Sequence, residues 1–346
     1  MPGRESMHSY QDANRNSKVK TAFVTGGAGF LGINLIEELI SGSWDVTVFD
    51  LQTANLSRFT SRNVKLVQGD ITNAAACVKA MPENVDAVFH LAGNTNHWRL
   101  GDRLQTRVNV GGTGNIVAAA LKRNARCLVH TSSIAAYGFQ PERITEDTRS
   151  TAAGASINYF RTKRLSEIEV HKGIKKGLKA VILNPANIIG PFDTSGWSRI
   201  FLLVEKGRLP GAPPGKASFC HSREVARAHI LAAEKGTSGA NYLLGGADAT
   251  FFEMVQQIGK LMNRKVPGRP TPAFLMKLVG RLSYWGSCFT RKEPDLTPET
   301  ACLTSSELLC SSQKAVKELG YRTVSLEDML ADCHAWMIEA GLLEAP

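Results

Sequence analysis

From residue 21 onward, short β-branched apolar runs alternate with longer stretches whose apolar residues recur every three or four positions. That alternation is expected of a parallel sheet covered by helices on both faces. Residues 21–25, 45–50, 64–68, 87–91, 127–131 and 180–183 read as strands. Residues 33–40, 109–122 and 159–172 read as helices between them, the second with an apolar face of Val110, Ile116, Val117 and Leu121. The expected fold class is α/β, a Rossmann doubly wound parallel sheet.

Beyond Pro185 the rhythm weakens and glycine and proline become frequent, as in R-L-P-G-A-P-P-G-K at 208–216. Residues 21–185 are expected to form the sheet domain, with 217–246 returning to it through a helix at 223–234 and a strand at 241–244. Residues 186–216 and 247–346 are expected to form a smaller, mostly helical cap over the carboxyl edge of the sheet. Residues 1–20 are polar, lack the apolar run of a secretory signal, and read as a disordered tail.

Composition narrows the partners. The formal net charge of +10 raises the question of a nucleic-acid partner. The basic residues are scattered, however, and their densest run, 171–179, ends a predicted helix where cations complement the dipole. No nucleic-acid partner is expected. The 7 cysteines are odd in number and include no C-x-x-C pair, which suits free thiols in a reducing cytoplasm and excludes an evident metal site. No window approaches the roughly 18 uninterrupted apolar residues of a membrane span, so a soluble, cytoplasmic protein is expected.

The first strand runs directly into T-G-G-A-G-F-L-G. Gly26 permits the tight turn, Gly29 lets backbone amides approach a pyrophosphate, and Gly32 allows close packing of the helix that Phe30 and Leu31 open. The second strand ends at Asp50, about 20 residues beyond the last glycine, where a carboxylate binds the adenosine ribose. A carboxylate there favours NAD; Arg58, which follows, keeps NADP open. Asp70 and Ile71, just after the third strand, belong beside the adenine, with a turn cap as the plainer alternative.

Tyr159 and Lys163 lie four apart on one helix and share a face. A free tyrosine has a pKa of roughly 10 and exchanges protons poorly near neutrality. A nearby ammonium, together with an oxidised nicotinamide, is expected to draw that pKa down. The strand at 127–131 delivers Ser132 and Ser133 to the sheet edge where ligands sit, and a hydroxyl there can orient a substrate oxygen.

With H-L-A-G at 90–93, N-V-G-G-T at 109–113 and N-P-A-N-I-I-G-P at 184–191, the chain resembles the extended short-chain dehydrogenases/reductases of the NAD-dependent epimerase/dehydratase superfamily. Y-F-R-T-K-R-L-S-E at 159–167, E-P-D-L-T at 293–297 and K-A-V-K-E-L-G-Y at 314–321 look most like its dihydroflavonol-4-reductase-like branch, close to the 3β-hydroxysteroid dehydrogenase-like enzymes. The resemblance implies Ser133 orienting a carbonyl, Tyr159 as general acid or base, and Lys163 binding the nicotinamide ribose. It also implies Leu91, Ala92 and Gly93 beneath the cofactor, contacts from Asn109 and Thr131, and Pro185, Asn187 and Ile188 beside the nicotinamide. For Asn187 a turn role stands equally open.

The expected activity is reversible hydride transfer between the nicotinamide and a ketone or secondary alcohol of a fairly apolar small molecule, by a homodimer. A nucleotide-sugar epimerase or dehydratase is the chief alternative. Those enzymes commonly clamp the diphosphate with an arginine in a segment that here reads A-S-F-C-H-S-R-E-V-A, placing Ala217 at the arginine position. A non-catalytic dinucleotide-binding redox sensor is the third reading. Residues 273–289 are apolar, with Lys277 and Arg281 on one helical side. They read as a buried cap helix, the alternative being a lid that receives a lipid-like substrate and touches a membrane surface.

Overall fold

The computed structural model describes residues 19–55, 57–59 and 64–344. Most of the expected N-terminal tail, residues 1–18, lies outside the described residues, as does the side chain of Arg58.

The chain runs β1 (Thr21–Thr25), α1 (Phe30–Ser41), β2 (Asp45–Asp50), β3 (Val64–Gln68), α2 (Ala74–Ala80), β4 (Ala87–His90), α3 (Asp102–Thr106), α4 (Thr113–Lys122) and β5 (Leu128–Thr131). It continues through α5 (Asn158–Ile174), β6 (Ala180–Pro185), β7 (Asn187–Ile189), α6 (Arg199–Glu205), β8 (Lys216–His221), α7 (Ser222–Lys235), β9 (Asn241–Leu244) and β10 (Ala247–Thr250). The remaining elements are α8 (Phe251–Leu261), α9 (Ala273–Thr290), α10 (Pro298–Thr304), β11 (Glu307–Leu308) and α11 (Leu326–Glu339).

Seven strands form the main sheet in the order β3-β2-β1-β4-β5-β6-β9, every pair parallel. The order reverses between β1 and β4, so a crevice opens beyond their carboxyl ends. Neighbouring residues serve opposite faces. Val24 packs with Leu35, Ile36 and Leu39 of α1 and Ala228 of α7. Phe23 packs with Ile116 and Ala120 of α4 and Val170 of α5. Double coverage explains why the inner strands read as unbroken apolar runs, while the edge strand β3 is only partly buried.

A second sheet holds β8 between β10 and β11, with β7 also pairing with β8. The expectation that residues 217–246 return as a unit is therefore corrected: α7 and β9 join the main layers, and β8 does not. Its run K-A-S-F-C-H is buried on both sides, Cys220 toward the main core and Ala217 and Phe219 toward a third core with Phe201, Met254 and Met337. Burial on both faces gives β8 the same pattern as a main-sheet strand.

Among the described residues no helix is long and apolar enough to cross a membrane, and no cluster of side chains is arranged to hold a metal ion.

Candidate active site

The turn after β1 is built from backbone alone. Gly26 adopts φ +73°, and a Cβ there would come within 2.7 Å of the Ala92 nitrogen. A Cβ at Gly32 would lie 2.2 Å from the Gly26 carbonyl oxygen. At Gly29 the nearest protein atom to such a Cβ is 3.3 Å away, so the protein itself demands a glycine there less strictly than it does at Gly32. Gly29 is the N-cap of α1 and no side chain caps that terminus. The first-turn amides of Phe30, Leu31 and Gly32 therefore form an uncapped, dipole-positive cradle suited to a pyrophosphate. Sequence reasoning passed over Gly27, where a Cβ would meet Val48 Cγ1 at 2.5 Å.

Asp50 closes the cradle. Its Oδ2 accepts a hydrogen bond from the Ala28 amide at 2.8 Å, tying the end of β2 to the glycine turn, and its Oδ1 accepts from Leu51 at 2.7 Å. Asp70 Oδ1 accepts from the Thr72 amide at 2.8 Å, the turn-capping alternative. Ile71 packs where a Cβ on Gly112 would meet it at 2.5 Å. These residues fit a bound dinucleotide through the uncapped amides, the carboxylate beside them and the open approach at Gly29.

The three residues expected to be catalytic, Ser133, Tyr159 and Lys163, converge at the end of β5. Ser133 caps a short 3-10 turn by accepting from the Ala135 amide at 3.2 Å, and its side chain also hydrogen-bonds Tyr159. Lys163 Nζ lies 5.8 Å from the centre of the Tyr159 ring and donates to the Thr131 carbonyl at 2.9 Å. Burial lowers the Lys163 ammonium to about 8, with Glu167 opposing, and raises the Tyr159 phenol to about 12, with the Ser133 hydrogen bond opposing. In the protein alone burial is the largest influence on this phenol; the downward pull expected of Lys163 together with an oxidised nicotinamide belongs to the cofactor-bound site. The phenol holds its proton at working pH.

The layer beneath is polar but neutral. His90 hydrogen-bonds Thr25 and Thr113 and stacks on His130, whose centroid is 5.3 Å away. Burial pushes His90 down to about 3 and His229 to about 4, leaving Lys163 as the cation beside Tyr159. The Thr131 hydroxyl is bonded to His229, so it is its carbonyl that serves Lys163. Asn109 spans Asn94 and Thr162, pinning the loop after β4 to α5. Gly93 carries no side chain where a Cβ would stand 3.6 Å from Lys163 Nζ. Leu91 and Ala92 hold the loop through amide bonds to Thr25, Pro185 is buried at the end of β6, and Ile188 packs against the main core. The Asn187 side-chain amide donates to the Ser218 carbonyl at 3.0 Å, so it ties β7 to β8.

Sequence reasoning missed two side chains. Glu167, 1% exposed, accepts from Ser132 at 2.7 Å and from Asn184 at 2.7 Å and pairs with Arg164, organising the floor under Ser133. His97 stands edge-on to Tyr159, with ring centroids 5.1 Å apart. Its buried Nδ1 has no hydrogen-bond partner among the described residues, and burial lowers its pKa to about 4. The position of Glu167 one turn beyond Lys163 offered a signal; nothing in a loop sequence signals His97.

The chain is similar to known proteins in sequence and in fold. Residues 22–245 match the NAD dependent epimerase/dehydratase family. A sterol demethylase protein B of Methylococcus capsulatus is 30% identical over 93% of this chain and 100% of its own. A putative dihydroflavonol 4-reductase of Synechocystis sp. is 26% identical, covering 93% of this chain and 96% of its own. Among solved structures, a dTDP-glucose 4,6-dehydratase from Streptomyces venezuelae with NAD and TYD bound shares the fold, with TM-score 0.74 and 24% identity over 94% of this chain and 99% of that one.

Proposed function

The chain belongs to the NAD dependent epimerase/dehydratase family, and from that premise we propose that it interconverts a ketone and a secondary alcohol on a fairly apolar, ring-bearing small molecule. Convergence of Ser133, Tyr159 and Lys163 beside the glycine cradle carries the catalytic reading. Bound NAD supplies or accepts the hydride. In the reducing direction Ser133 holds the substrate oxygen by a hydrogen bond, and Tyr159 donates its phenolic proton to that oxygen as the carbonyl becomes an alcohol. Lys163 holds the nicotinamide ribose and stabilises the phenolate left behind. His97 offers its neutral, unpartnered Nδ1 to a polar atom of the substrate.

Ala217 favours a dehydrogenase over a sugar epimerase. It is buried in β8 at 2% exposure, so a methyl group stands where those enzymes place a diphosphate-clamping arginine. The names of the sterol and dihydroflavonol relatives support a fused-ring substrate. A panel assay tests the reading: NADH oxidation with steroid ketones and dihydroflavonols is expected, and epimer formation from UDP-sugars without net cofactor turnover overturns it.

Two further results are expected. Asp50→Asn keeps an acceptor for the Ala28 amide but removes the charge that repels a 2′-phosphate, so the kcat/KM ratio of NADP to NAD rises by roughly tenfold. An unchanged ratio contradicts the ribose assignment. Lys163 acts as a cation and is held near 8. Because its pKa is lowered, the charged form is present below that value and lost above it, so kcat/KM for ketone reduction falls as pH rises through about 8. In Lys163→Arg, whose guanidinium stays charged to about pH 12, that limb moves out of range. A falling limb that stays in place in this variant contradicts the assignment.

A further inference from the structure

Helix α9 is seated the wrong way round for a surface helix of a water-soluble protein. Phe274, Leu278, Leu282, Trp285 and Phe289 are 69%, 51%, 65%, 72% and 88% exposed. At about 100° per residue they fall within an arc of roughly 80°. Gly280 and Ser287, the buried positions, lie on the opposite side. By contrast α8, a neighbour in sequence, turns Phe251, Met254, Val255 and Ile258 inward. The expectation of a buried cap helix at 273–289 is corrected by these exposures.

The orientation is fixed from behind. A Cβ at Gly280 would come 3.0 Å from the Thr297 carbonyl, so the helix sits close against the start of α10 on its small-residue side. Ser287 accepts from the Trp98 indole at 3.1 Å, and Asn96 donates to Glu293 at 2.7 Å. Turning the apolar stripe inward would break these contacts and drive large side chains against backbone.

Charge identifies the occupant. Between residues 264 and 292 the chain carries Arg264, Lys265, Arg269, Lys277, Arg281, Arg291 and Lys292 and no aspartate or glutamate. Lys277 and Arg281 flank one edge of the apolar arc. A second copy docked on this face would bring like charges together. A bilayer bearing anionic headgroups satisfies both features at once, an apolar layer for the stripe and negative charge for the rim. No described helix is long and apolar enough to cross a membrane, so α9 lies in the surface.

We propose that α9 docks the protein on an anionic membrane surface, with Phe274, Leu278, Leu282, Trp285 and Phe289 in the headgroup–acyl boundary and Lys277 and Arg281 against the lipid phosphates. The Trp98–Ser287 bond, with the Asn96–Glu293 bond just beyond the end of α9, joins the docked helix to the loop that carries His97.

Flotation of the full chain with phosphatidylcholine vesicles, with and without roughly one third phosphatidylglycerol, tests it. The protein is expected to float with the anionic vesicles and to be released by salt. Leu282→Ser with Trp285→Ser lowers partitioning by at least about tenfold, and Lys277→Gln with Arg281→Gln by roughly thirtyfold on the anionic vesicles. Retained NAD binding shows that both variants fold, and Tyr159→Phe floats as the unaltered chain does, so failed docking and failed catalysis are separable. No flotation on anionic vesicles, unchanged flotation of the serine variant, or a dimer that this variant dissociates without any vesicle binding overturns the proposal.

Discussion

Tyr159→Phe is expected to lower kcat for ketone reduction by about 10³-fold or more while leaving NAD affinity within about twofold. The phenol is buried, bonded to Ser133 and held near 12, so at working pH it is a proton donor already in place. Phenylalanine keeps the ring that packs against His97 and removes the hydroxyl, with its transferable proton and its bond to Ser133. Retained turnover in this variant would assign the proton to another group, and His97 is a poor candidate because burial lowers it to about 4. The same variant separates an enzyme from a dinucleotide-binding sensor, since a sensor would lose nothing that its response requires. Initial rates of NADH oxidation, with cofactor affinity from nucleotide fluorescence, provide both numbers.

Gly32→Ala is expected to cost about 3 kcal/mol of stability and to abolish useful NAD binding. Its methyl would stand 2.2 Å from the Gly26 carbonyl and 2.7 Å from Gly27 Cα, both backbone atoms of the turn that forms the cradle. Neither can yield without moving α1 away from β1. Gly29→Ala separates fold from ligand. Its methyl meets only the Gly26 carbonyl at 3.3 Å, so the protein is expected to keep its Tm within a few degrees and lose NAD affinity by roughly tenfold. Thermal melts and cofactor titrations of the two variants check the contrast. Equal destabilisation of both would show that Gly29 is a packing residue and leave the phosphate approach without support.

Sequence alone revealed what backbone geometry and local spacing determine. The glycine turn, Asp50 at the end of β2, the four-residue spacing of Tyr159 and Lys163, and the strand Asn241–Leu244 all follow from short-range rules. What it left hidden depends on partners distant in the chain. β8 is buried on both faces and reads like a main-sheet strand, yet it pairs with β7, β10 and β11. The apolar stripe of α9 has helical periodicity, but periodicity does not say which side faces inward; that is decided by Gly280 against Thr297 and Ser287 against Trp98. His97 comes from a loop whose Asn94 is held by Asn109, 15 residues away, which pins it to α5. The direction of the Tyr159 shift depends on burial, which no spacing of charges reveals.

Protein labelled with 13C at tyrosine Cζ, its Tyr159 resonance assigned by comparison with Tyr159→Phe, reports the protonation of this phenol directly. Without NAD+ the resonance is expected to stay that of a neutral phenol up to about pH 10, and with saturating NAD+ to titrate below that value as the added positive charge joins that of Lys163. A phenolate forming at ordinary pH without cofactor, or a resonance indifferent to NAD+, would contradict the assignment of Tyr159 as the proton donor beside the dinucleotide.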